Sequence, residues 1–167
     1  FDKKQFAHVF DVKDFNRLEI NLTGADLVVR QAENAGIIYY GERKDDDRFE
    51  IKQEGHTLRI TEKSNLHILK KTLAFKFSVG KGRLEVTIPQ TDFFKLSAEV
   101  SKGVVAIDNV KTSTISLIVG SGDLTVADST IDNLHVKAQS GNLVMKKTLL
   151  GNIKIENRTG DILLDEF

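Results

Sequence analysis

The sequence predicts an all-β chain built as a parallel β-solenoid, and three observations carry that reading. Four glycines, Gly103, Gly122, Gly141 and Gly160, fall nineteen residues apart in closely similar contexts. A fixed period near twenty marks a solenoid, in which each repeat buries its apolar face on its neighbours. Along most of the chain apolar and polar residues alternate at period two, the spacing of half-buried strands. No long segment carries a helical stripe; the best candidate, 65–71, is short and uncapped.

In chain order, Leu18, Ile20 and Leu22 alternate with Glu19 and Asn21 and predict the first strand. Thr23-Gly24-Ala25-Asp26-Leu27 resembles the later glycine turns, and Ile37 to Tyr40 predict a strand. Asp45-Asp46-Asp47 reads as a turn before a strand over 49–53, and Gly55-His56 as the turn before Leu58 and Ile60. Residues 15–62 are therefore expected to form longer, hairpin-bearing coils that cap the solenoid. A loop and a strand over 73–79 follow. Leu84, Val86 and Ile88 predict another strand, ended by Pro89, which cannot donate to a ladder. The irregular coils run over 15–94 and the regular repeats over 95–167, within one domain spanning 1–167.

The glycines set the repeats in register, with starts at Lys95, Thr114, Asn133 and Asn152. Two apolar pairs recur, Leu96/Ala98 and Val105/Ile107 in the first repeat and their counterparts in the next three. Residues two apart point to one face of a strand, so each repeat should supply two short strands joined by the glycine turn. Equivalent strands should stack in parallel ~4.8 Å apart. A left-handed hexapeptide helix does not fit, because no six-residue sub-repeat appears. Ser-Gly-Asp and Ser-Gly-Asn are turn formers, and glycine takes positive φ without Cβ strain. The residues after the glycines form a column, Val104, Asp123, Asn142 and Asp161, in which neutral Asn142 separates two carboxylates. Lys137 should lie beside Glu156, a pair worth about 0.2–1 kcal/mol.

At 167 residues, 40% hydrophobic and 29% charged, the chain can bury a real core and is not a disordered composition. Twenty-four basic residues balance twenty-four acidic ones, which argues against a nucleic-acid partner. The absence of cysteine excludes disulfides, thiol catalysis and cysteine zinc sites. No apolar run is long enough for a membrane-spanning helix. The chain begins at Phe1 without a signal-peptide pattern and reads as a fragment or mature form whose export or anchor segment has been removed.

Chemistry-bearing motifs are sparse. His8, His56, His67 and His135 are scattered and lack ligand spacing, Gly80-Lys81-Gly82 is not a phosphate loop, and no GxSxG occurs. Asp123, Asn142 and Asp161 read as turn residues and not as a calcium site, which needs six to eight oxygens. No metal or cofactor is expected. A polysaccharide-cleaving site would need converging carboxylates. The columns Asp108, Ala127, Lys146, Asp165 and Asn109, Asp128, Lys147, Glu166 stack no two carboxylates on adjacent coils. The clearest departure from the average is 63–83, with Lys63, Lys70, Lys71, Lys76, Lys81 and Arg83 and no carboxylate. It reads either as a face for anionic polymers or lipid headgroups, or as the solvated side of a loop and strand.

The order Leu18-Glu19-Ile20, Gly24 to Val29, Gly55 to Ile60 and Leu84 to Pro89, followed by Ser121-Gly122-Asp123, Ser140-Gly141-Asn142 and Thr159-Gly160-Asp161, resembles a known layout. It is similar to the bacterial "putative adhesin" family of β-strand repeat domains of unknown function, which includes Lia-type cell-envelope stress proteins of Gram-positive bacteria. The resemblance runs from about Phe15 to Phe167; Val104 departs from the Asp/Asn pattern. It implies a β-solenoid-like fold, attachment to or export across the membrane, and envelope stress or surface interaction in some members. It supplies no catalytic residues. The leading expectation is a non-enzymatic, envelope-associated binding module, extracellular or on the cytoplasmic face of the membrane, whose partner is a protein or an anionic wall component. A carbohydrate-active β-helix enzyme and a self-assembly module pairing through the open C-terminal end remain the alternatives.

Overall fold

The computed structural model describes residues 6–42, 47–63, 82–90 and 93–165. These form fifteen strands in two sheets that close on each other face to face. One sheet contains β1 (Phe6–Phe10), β3 (Asp26–Ala32), β4 (Gly36–Gly41), β7 (Arg83–Pro89), β9 (Val105–Asp108), β11 (Leu124–Ala127), β13 (Leu143–Lys146) and β15 (Ile162–Asp165). The other contains β2 (Arg17–Leu22), β5 (Phe49–Glu54), β6 (Thr57–Glu62), β8 (Lys95–Lys102), β10 (Lys111–Ser121), β12 (Thr130–Ser140) and β14 (Leu149–Thr159). The neighbour order is β1-β4-β7-β3-β9-β11-β13-β15 in the first sheet and β14-β12-β10-β8-β2-β6-β5 in the second.

From β8 onward the chain coils regularly. Thr114 pairs with Lys95 and with Asn133, and Asn133 pairs with Asn152, all in parallel. The return strands stack likewise, Val105 beside Leu124, Leu143 and then Ile162. Period two sends Leu58, Leu18, Leu96, Ile115, Leu134 and Ile153 inward as one apolar ladder. Leu84, Leu27, Val105, Leu124, Leu143 and Ile162 face it from the other sheet. These ladders are the core, buried except where the last coil ends.

Two expectations need correction. The first strand of a repeat is not short: β10, β12 and β14 have eleven residues each. The reason lies at the corner before them, where Asn109, Asp128 and Lys147 take φ of 55°, 50° and 48°. That left-handed residue turns the chain early enough for Lys111 and Thr112 to pair with Thr130 and Ile131. The strand then continues around a bend at Ser113, where both Thr112 and Ile115 point inward.

The second correction concerns the N-terminal coils. The coil made by β2 and β3 does not cap the stack; it sits inside it. β2 lies between β6 and β8, and β3 between β7 and β9, all parallel. The chain lays down this inner coil first, adds β6 and β7 on one side and then β8 and β9 on the other. The capping role falls to the antiparallel strands β5, on β6, and β4 with β1, on β7. Tyr39 of β4 and Phe49 of β5 close that end, their rings edge to face at 4.5 Å. The 45–46 part of the acidic turn, the strand expected over 73–79 and Phe167 lie outside the described residues.

The glycine turns are tighter than their turn chemistry requires. A Cβ on Gly122 would lie 1.9 Å from the Gly103 carbonyl oxygen, and one on Gly141 would lie 2.1 Å from that of Gly122. With φ of 134° and 122°, both positions demand glycine twice over, for conformation and for space.

Candidate interaction surface

The side chains that could meet a partner are the outward-facing ones of the same alternating strands. On the seven-stranded sheet they form cross-strand rows. One row reads Arg59, Glu19, Ser97, Ser116, His135 and Lys154. The next reads Thr61, Asn21, Glu99, Ile118, Lys137 and Glu156. Ser97 and Ser116 are the smallest members of the first row, and their shortness leaves a depression of about 240 Å³. Its rim is Arg59 and Glu19 on one side and Glu99 and Ile118 on another. Arg59 donates to Glu19 at 2.5 Å and to Glu54 at 3.3 Å. The Glu19 hydrogen bond and the two carboxylate charges hold the guanidinium above its ordinary pKa. Ile118 is 45% exposed and puts an apolar contact within an otherwise polar trough. Lys137 lies 3.9 Å from Glu156, the pairing expected from the repeat register.

A larger cleft of about 670 Å³ runs along the corner between the sheets, lined by Gln31, Gln90, Phe93, Phe94, Lys111 and Asp132 among others. Gln31 closes its base, accepting from the Lys111 N–H at 2.8 Å and donating to the Pro89 carbonyl at 3.1 Å. Arg17 sits over the Phe94 ring at 4.7 Å.

Of the basic stretch, Lys70, Lys71, Lys76 and Lys81 lie outside the described residues. Lys63 and Arg83 belong to the outermost parallel coil but to different sheets: Lys63 follows β6, and Arg83 opens β7. Arg83 stacks on Tyr40 at 4.8 Å and approaches Glu85 at 3.9 Å.

The turn column is a ladder of side chain to backbone bonds between coils. The Val104 N–H donates to Asp26 Oδ1 at 2.8 Å, Asn142 N–H to Asp123 Oδ1 at 2.9 Å, and Asp161 N–H to Asn142 Oδ1 at 3.0 Å. These oxygens hold one coil to the next. Among the described residues no group of three or more His, Asp or Glu side chains is placed to hold a metal ion. Asp108, Ala127 and Lys146 stand beside one another on adjacent return strands, followed by Asp165, and Arg30 flanks Asp108. No two carboxylates adjoin in that column.

The sequence reading missed a buried cluster at the capped end. Glu62 is 3% exposed. Its Oε1 accepts the N–H groups of Thr23, Gly24 and Ala25 at 2.8, 2.9 and 3.0 Å, and its Oε2 accepts Arg48 Nε at 2.6 Å. Arg48 donates in turn to the Tyr39 hydroxyl at 2.7 Å. Burial alone would raise the Glu62 pKa, but the backbone N–H groups of Gly24 and Ala25 and the Arg48 charge outweigh it and hold the carboxyl below its usual range. The cluster ties the 23–25 turn to the cap and faces away from solvent. Its signal was available: in the alternation Leu58, Ile60, Glu62 the carboxylate occupies an inward position.

Closed sheets joined by glycine turns and in-register parallel coils are the geometry with which known proteins can be compared. The sequence profile described as Toastrack DUF4097 matches residues 15–167. The chain belongs to the Toastrack DUF4097 family. Among solved structures, a putative cell adhesion protein from Clostridium sporogenes is similar to this Toastrack chain with a TM-score of 0.68. The two are 9% identical, over 98% of this chain and 100% of that one, so the likeness shows the fold alone. A putative adhesin from Bacteroides fragilis is 13% identical over 99% of this chain and 98% of that one. Its TM-score of 0.41 is too low to bear on this Toastrack domain. No curated protein matches the chain. Among the described residues no helix is long and apolar enough to cross a membrane.

Proposed function

We propose that this Toastrack domain is a non-enzymatic binding module of the bacterial cell envelope, presenting the outer face of its seven-stranded sheet to an extended peptide or glycan strand. The observation that carries this reading is the serine-floored trough bounded by Arg59, Glu19, Glu99 and Ile118. It crosses strands held in fixed register by the core, so its polar groups are pre-positioned, and a partner that docks there orders little of the protein. The trough is shallow and mixed in charge, suited to a strand lying across it and unsuited to enclosing a small substrate. The column Asp108, Ala127, Lys146, Asp165 offers no acid pair for glycoside cleavage, which supports a binding role over an enzymatic one. The protein of the same fold from Clostridium sporogenes is named a putative cell adhesion protein, and that name supports the envelope setting. The basic residues Lys63, Lys70, Lys71, Lys76, Lys81 and Arg83 are proposed as a second surface toward anionic envelope components.

Co-sedimentation with purified Gram-positive cell wall and with anionic lipid vesicles, at low and high salt, tests the reading. Ser116→Arg fills the trough, and a second variant carries Lys70, Lys71, Lys76 and Lys81 changed to Glu. Wall binding lost in Ser116→Arg and kept in the lysine variant, with salt-sensitive vesicle binding lost only in the lysine variant, is the expected result. Wall binding lost only in the lysine variant would move the working surface to the basic segment. No binding by the unaltered chain to either material would overturn the envelope reading.

A further inference from the structure

Among the described residues the last coil leaves an open end. β14 is the edge of its sheet, and no described residue pairs with its outer side. Its eleven residues present a row of backbone donors and acceptors, a ready template for another strand. The inward side chains of this coil are only half covered, with Ile153, Ile162 and Leu164 45%, 46% and 45% exposed. Their counterparts one coil earlier, Leu134, Leu143 and Met145, are buried. Asn157 occupies the next inward position, and its Oδ1 is buried without a hydrogen-bond partner among the described residues.

The charge order along β14 says what fits there. Lys154, Glu156 and Arg158 point outward, while Ile153 and Ile155 continue the inward ladder. In an antiparallel pair, residues directly opposite share a face. When β14 meets β14 of a second copy about a two-fold axis at Ile155, Lys154 of each copy stands opposite Glu156 of the other, and Ile155 meets Ile155. The neighbouring registers that keep the apolar sides together are both penalised. Centring on Lys154 sets lysine against lysine. Centring on Glu156 sets glutamate against glutamate and Lys154 against Arg158. Like charges directly opposite are destabilising. Centring on Asn157 also sets Glu156 opposite Arg158, but it overlaps only residues 155–159 of the strand, whereas centring on Ile155 overlaps 151–159. The register about Ile155 therefore combines matched charges with the longer pairing, and it is self-complementary, as an isologous interface must be.

We propose that two copies of this chain associate tail to tail through β14, antiparallel, centred on Ile155. The two seven-stranded sheets become one continuous sheet and the apolar ends cover each other, while the apolar interior at the far ends is already closed by Tyr39 and Phe49. Glu156 then lies between Lys137 of its own copy, 3.9 Å away, and Lys154 of the other. The interface does not involve Ser116, so it stands or falls separately from the trough.

Light scattering and sedimentation of the chain between about 10 µM and about 1 mM, at low salt, test the proposal. The unaltered chain is expected to show a reversible monomer–dimer equilibrium that weakens with added salt. Lys154→Glu alone and Glu156→Lys alone each place like charges opposite one another twice per dimer, and should raise the dimer Kd about tenfold or more. An equimolar mixture of these two variants restores opposite charges at all four positions and should dimerise. So should the double variant Lys154→Glu/Glu156→Lys. The mixture doubles as a folding control, since misfolded variants would not recover. A strict monomer throughout the range, single variants that dimerise like the unaltered chain, or a mixture that stays monomeric would each overturn the proposal.

Discussion

At the scale of single residues, Glu62 has the strongest environment in the described chain. Three backbone N–H groups and the Arg48 guanidinium converge on one buried carboxylate, so its charge is compensated while the same groups fix the 23–25 turn. Because its folded pKa is depressed, the folded state binds a proton less readily than the unfolded chain, whose Glu titrates near ~4.3. Its stabilisation is therefore fully present above that unfolded value and is lost as pH falls through the lower, folded value. Glu62→Gln keeps an acceptor for the N–H groups but turns an amide toward Arg48 and removes the carboxylate charge from a buried ion pair. The expected cost is about 3 kcal/mol at pH 7, read by urea denaturation. The variant should also lose the part of the acid destabilisation that belongs to this carboxyl. Equal stability of the two proteins at pH 7 would mean that the cluster contributes no net stability.

At the scale of elements, the repeats were legible because four glycines at fixed spacing impose a register on everything between them. The pairing of Lys137 with Glu156 follows from that register alone. The inner position of β2 and β3 was not legible. Parallel neighbours on both sides leave no local trace beyond an alternation that any half-buried strand shows. The trough was hidden for the same reason: Ser97 and Ser116 mean little until the ladder sets them side by side. The turn column was legible as residues but not as a hydrogen-bonded ladder, and the difference makes a prediction at Val104. Asp26 receives the Val104 N–H, and Asp123 receives that of Asn142, but the Val104 side chain has no oxygen to offer the Asp123 N–H. Val104 is also 45% exposed. Val104→Asn completes the ladder without adding a third carboxylate between Asp26 and Asp123. It should stabilise the protein by about 0.5–1 kcal/mol, seen as a higher urea midpoint at unchanged slope. A lower midpoint would show that these bonds follow the coil stacking and add nothing to it.

For the whole molecule, the order of coils in space decides how it comes apart. In a simple repeat array each coil touches only its neighbours in sequence, and stability is a sum along the chain. Here β2 and β3 join strands that enter the sequence much later, β6 and β7 on one side and β8 and β9 on the other. The inner coil is thus a keystone, and its loss would part the capped end from the regular coils. The C-terminal end is the opposite case: among the described residues β14 and β15 each have one neighbour and a half-exposed apolar side. Native-state hydrogen exchange should therefore find the highest opening free energies in β2, β3 and β8, falling coil by coil toward β15. Leu18→Ala, at a fully buried position of the inner coil, should cost about 3 kcal/mol and lower the protection of the cap and the regular coils together. Leu164→Ala, in the open coil, should cost about 1 kcal/mol or less and affect mainly its own coil. The tail-to-tail pairing adds a distinct signature, since protection in β14 would rise with protein concentration while that of β2 would not. Independent loss of protection in the cap and in the regular coils of Leu18→Ala would refute the keystone role, because it would mean that the two halves hold together without the coil between them.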